Sequence, residues 1–125
     1  MNVPLLIAGV GATAVGVGHS YLGERWILIP LFRDGRVPKT RIGGVSATMR
    51  MMRFTWHFFT VVVCSTAGFL LARSAGIFDG GSTAVRVVAL HWGVFAVAVL
   101  LMSRGRHGAW LLGSLVAIAA WLGTV

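Results

Sequence analysis

Four continuous apolar stretches, at 3–22, 54–72, 84–102 and 108–125, take up most of this sequence. Each is long enough to cross a hydrocarbon core of about 30 Å as a helix rising about 1.5 Å per residue. None alternates apolar and polar residues in the manner of a lipid-facing strand, which excludes a barrel. The composition agrees: 57% of the residues are hydrophobic, 11% are charged, and the mean hydropathy is +0.85. A small soluble domain carries about 25% charged residues. A chain of 125 residues has no room for a soluble domain beside four spans. The expectation is an all-α integral membrane protein, a single-domain four-transmembrane-helix bundle. A Rossmann domain, a P-loop enzyme and a secreted disulfide scaffold are excluded. The run GVGATAVGVG resembles a phosphate loop only in composition, because no strand precedes it and it lies inside a span.

The net charge of +8 would suggest nucleic acid in a soluble protein. Here the basic residues fall in short loops, which marks a membrane side instead. Arg33, Arg36, Lys39, Arg41, Arg50 and Arg53 lie between the first two spans, and Arg104 and Arg106 between the last two. The opposite side has only Arg73 and Arg86, the latter one turn into its span and expected to snorkel outward. The positive-inside rule therefore places the basic loop 33–53 in the cytoplasm and both termini outside, in a bacterial-type inner membrane. The first span is read as retained, since it has no basic leader segment and no small-x-small cleavage pattern. Residues 26–32 either lie along the inner interface or extend the first span to Arg33 with a break at Pro30. Trp26, Trp56, Trp110 and Tyr21 form an aromatic belt at the inner boundary.

Small residues recur at four-residue spacing: Ala8, Ala12 and Gly16; Cys64, Gly68 and Ala72; Ala89 and Gly93; Gly113 and Ala117. Lipid gives helices no hydrophobic reason to associate, so close backbone approach through such faces supplies the packing. A homodimer or a place in a larger membrane complex is compatible with the same faces. The other partners expected are the bilayer and its anionic head groups, with about 1 kcal/mol per basic residue. Cys64, alone in its span, is a small packing residue.

Ionisable groups within spans are the candidates for function. Counting along the helices puts His19 and His57 at one level near the cytoplasmic side, with Glu24 close by and His91 nearer the midplane. If the first span runs to Arg33, His19 moves toward His91. Imidazoles with one carboxylate suit a metal ion. Two histidines from different helices suit b-type haem, with Arg50 and Arg53 pairing the propionates or lipid head groups. Proton-coupled histidines in an oligomeric carrier of a small solute or ion form the second alternative. An accessory subunit of a larger complex is the third, and each histidine can equally be a hydrogen-bonded packing residue. His107, next to Arg106, reads as a solvated loop residue. The acidic residues are Glu24, Asp34 and Asp79, the last two in loops on opposite sides, so paired-carboxylate catalysis and a di-iron centre are excluded. No stand-alone catalytic activity is expected. In length and span count the chain resembles small multidrug exporters and dual-topology fluoride channels. Glu24 lies at a span end rather than within it, Asn2 is the only asparagine, and the charge bias opposes dual topology, so neither family is assigned.

Overall fold

A computed structural model describes residues 1–77 and 81–125, and among these the only regular structure is helical. Asp79, assigned to a loop from the sequence, lies outside the described residues. The helices are α1 (Val3–Gly23), α2 (Ile29–Arg33), α3 (Gly44–Ser74), α4 (Gly81–Ser103) and α5 (Ala109–Leu122). A π turn, Glu24–Leu28, joins α1 to α2. Three segments are long and apolar enough to cross a membrane: Val3–Arg33, Gly44–Ser74 and Gly81–Ser103.

The helical boundaries differ from the expected spans in three places. The first helical segment continues to Arg33 with no break at Pro30. Proline lacks an N–H, and its ring would collide with the carbonyl four residues back in a regular helix. The wider π turn just before it accommodates this, with the Ile29 N–H donating five residues back to the Glu24 carbonyl. The second helix starts at Gly44 rather than near Phe54, so Arg50 and Arg53 are helical and the basic loop shrinks to 34–43. Its first ten residues, GVSATMRMMR, are dominated after the opening turn by Met and Arg, both strong helix formers. The fourth apolar stretch forms a helix of 14 residues, about 21 Å long, flanked by Gly108 and Gly123.

The chain divides into two units, one of residues 1–15 with 63–125 and one of residues 16–62. In the first, Asn2 gathers three helix ends. Its side-chain oxygen caps α1 by accepting from the Leu5 N–H (3.1 Å), and its amide donates to the Gly123 carbonyl beyond α5 (2.9 Å). The Ser74 hydroxyl at the end of α3 donates to the Asn2 carbonyl (2.7 Å). Gly76, at φ +71°, then turns the chain out of α3 in a conformation that costs other residues a Cβ clash. Leu5, Ala8, Ala12, Leu70, Val116 and Ala120 are buried in this unit. Gly113 of α5 sits against Phe95 and Ala96 of α4, so small residues set the helix spacing as the sequence suggests. Arg86 is exposed, with its guanidinium 5.9 Å from the Trp121 ring.

Candidate functional site

The second unit holds a polar cluster between α1 and α3. On α3, Arg53, Trp56, His57 and Thr60 are spaced three, four and seven residues apart, which places them on one face. From the first helical segment come His19, Ser20 and Glu24, the last opening the π turn.

Glu24 joins the two sides. Arg53 grips its carboxylate with two nitrogens, Nη2 to Oε1 at 2.6 Å and Nε to Oε2 at 3.2 Å. This two-point fork is the strong geometry for a guanidinium–carboxylate pair. The His57 Nε2 lies 3.2 Å from the same Oε2, and its Nδ1 lies 2.7 Å from the Ser20 hydroxyl. A carboxylate only accepts, so the Nε2 of a neutral His57 carries the proton and its Nδ1 accepts from Ser20. When His57 takes a second proton, Nδ1–H donates and the Ser20 hydroxyl rotates to accept. Both charge states are therefore satisfied without moving a helix. The first leaves a net charge of zero on Glu24, Arg53 and His57; the second adds one positive charge.

His19 stands beside this chain but belongs to a different set of contacts. Its ring stacks on Trp56 at 4.5 Å between centroids and 11° between planes, with Phe59 at 4.9 Å on a tilt. Its Nδ1 is 3.4 Å from the Thr60 hydroxyl, and the Trp56 indole N–H donates to the His19 carbonyl (3.0 Å). Gly23 permits this closeness: a methyl group there would overlap the Trp56 indole. Arg53 also lies over the Phe32 ring, 5.1 Å from its centroid.

The structure thus unites His19, His57, Glu24 and Arg53. It leaves out the other two expected residues. His91 is exposed on α4, in the other unit, and Arg50 turns back to donate to the Ser46 hydroxyl one turn earlier (2.8 Å). His19 was expected to drift toward His91 if its helix reached Arg33. It stays level with His57 because α3 is extended as well, by a similar length. Ser20, Trp56 and Thr60 are members of the site that the sequence reading did not assign to it. The cue for Trp56 was its spacing from Arg53 and Thr60, which is meaningful only once α3 is known to begin before Phe54.

The donor atoms do not fit a metal ion. Among the described residues no group of three or more His, Cys, Asp and Glu side chains could hold one. Both ring nitrogens of His57 are engaged, and the Glu24 carboxylate is committed to Arg53. The two-histidine set expected for haem iron meets the same obstacle at His57. His107 is exposed, its Nδ1 accepting from the Ala109 N–H (3.2 Å). No protein-family model, curated protein or solved structure matches this chain. Its function is therefore argued from its own residues, within the class of all-helical proteins whose helices are long and apolar enough to cross a membrane.

Proposed function

We propose that this chain is a multi-pass inner-membrane protein with four spans and both termini outside. In it, Glu24, His57 and Ser20 carry protons, coupled to movement of a small solute or ion. The four-span arrangement is supported by the apolar character of 108–125 together with the eight basic residues in and beside the two connections on one side, against two on the other. The observation that carries the functional reading is the pair of bonds on His57, to Glu24 at one ring nitrogen and to Ser20 at the other. Histidine changes charge between about pH 5 and 8, and ionisable chains inside membrane helices commonly serve as proton relays.

The test is proton flux in proteoliposomes under an imposed pH gradient, read by a dye trapped in the lumen. Flux in the native protein should fall at least tenfold in both His57→Gln and Glu24→Gln, with the helical content unchanged. Equal flux in all three proteins overturns the reading. So does a Soret band or stoichiometric metal in the native protein that disappears in His57→Gln, since that result restores the metal or haem alternative.

A further inference from the structure

A second feature of residues 16–62 lies outside the Glu24–His57 chain. Ser46, Met49, Arg50, Arg53 and Phe54, spaced along one stripe of α3, together with Phe32 from the end of α2, line an open cleft of about 570 Å³. Its lining is divided by chemistry. The Ser46 hydroxyl and the two guanidinium groups supply hydrogen-bond donors, and Phe32, Met49 and Phe54 supply apolar walls. Arg53 is already neutralised by Glu24, but no carboxylate among the described residues pairs with Arg50. Arg50 gives one N–H to Ser46 and keeps the rest of its five donors for another acceptor. The cleft therefore has one positive charge in excess, presented by a planar fork that matches phosphate oxygens.

The position of the cleft along α3 narrows the choice of anion. It straddles the change from the arginine-bearing first turns to the apolar stretch that begins at Phe54. In a membrane-spanning α3 this is the boundary between head groups and hydrocarbon. A free inorganic anion would gain nothing from Phe32, Met49 and Phe54, whereas a phosphodiester carrying acyl chains uses both halves of the lining. We infer that this cleft binds the head-group phosphate of a single anionic phospholipid, with Arg50 as the main anion ligand and Phe32, Met49 and Phe54 against the glycerol and upper acyl chain. The inference shares with the proposed function only the reading of α3 as a membrane span; it does not depend on proton coupling.

Native mass spectrometry of the full chain in a non-ionic detergent tests it, with phosphatidylglycerol and phosphatidylcholine as probes. The native protein should retain one phosphatidylglycerol per chain with about tenfold preference over phosphatidylcholine. Arg50→Gln should lose that preference, Arg50→Lys should keep part of it, and Arg41→Gln, in the exposed loop, should leave it intact. Arg50→Gln changes an exposed side chain with one local hydrogen bond, and its circular dichroism should match that of the native protein. No preference in the native protein overturns the inference, as does an equal loss in Arg41→Gln and Arg50→Gln, which would show general attraction to the basic loop. Displacement of the lipid by millimolar inorganic phosphate overturns it too, since the walls would then contribute nothing. Arg50→Gln should retain native proton flux, so failure of lipid binding and failure of the proton relay give different results.

Discussion

The two units of this chain are held together by different chemistry. Of the sixteen buried hydrophobic residues among those described, fourteen belong to residues 1–15 and 63–125, and only Leu28 and Val37 to residues 16–62. The charged contacts are distributed the other way: the ion pairs Asp34–Arg36 and Glu24–Arg53, and the Glu24–His57 hydrogen bond, all lie in residues 16–62. The first unit is a small-residue packing problem, in which alanines and glycines bring backbones close and Asn2 closes the ends. The second is an electrostatic arrangement with little core, in which charges and aromatic rings do the joining. Proteins place their adjustable parts where cohesion is weakest.

This contrast can be broken by substitution, and the largest loss should come from the packed unit. Leu70 is fully buried, and Leu70→Ala should cost about 2–4 kcal/mol, seen as a lowered midpoint in thermal melting followed by circular dichroism. Gly23→Ala comes next, at about 1–3 kcal/mol, because the new methyl must displace the Trp56 indole from His19. The tryptophan emission should shift along with the melting curve; a shift in stability without one would mean that the indole had not moved. Ser20→Ala removes one hydrogen bond to His57 and should cost about 1 kcal/mol, while proton flux falls several-fold. At the bottom of the order, Arg36→Gln should change neither stability nor flux measurably, since its 4.0 Å contact with Asp34 is largely exposed. Equal costs for Leu70→Ala and Arg36→Gln would erase the distinction between the units.

How far the sequence carries depends on what its pattern measures. Hydropathy reports preference for an apolar solvent, and it finds the stretches inside Val3–Arg33, Gly44–Ser74 and Gly81–Ser103 well. It does not report where a helix ends, because backbone hydrogen bonds continue as readily through Met49, Arg50 and Met52 as through valines. That is why the start of α3 lies ten residues ahead of the apolar stretch. Depth counting put His19 and His57 at one level, and the two lie on facing helices in residues 16–62, with His19 against Trp56, Phe59 and Thr60 of α3. It could not supply Ser20 or Thr60, whose roles depend on which way two helices face each other. Trp56 has a plain reading as a boundary aromatic, and only its contact with the His19 ring and carbonyl reveals that it positions a histidine. His91 illustrates the opposite failure: an ionisable residue deep in an apolar stretch draws notice, yet its side chain faces outward from α4.

The π turn at Glu24–Leu28 has a consequence for how this surface can change. A turn of this kind holds one residue more than its α-helical counterpart, so everything after it is rotated by roughly 100° relative to an unbroken helix. Phe32, four residues beyond the turn, lies over the Arg53 guanidinium, 5.1 Å from its ring centroid. Removing a single amino acid from the turn, without touching any charged group, would swing α2 to a new azimuth and take the aromatic wall away from the guanidinium. A one-codon deletion at Ile27 would therefore act as a switch of orientation, severing the phenyl wall from the arginine while leaving unchanged the Glu24 carboxylate upstream of it and the His57 imidazole on α3.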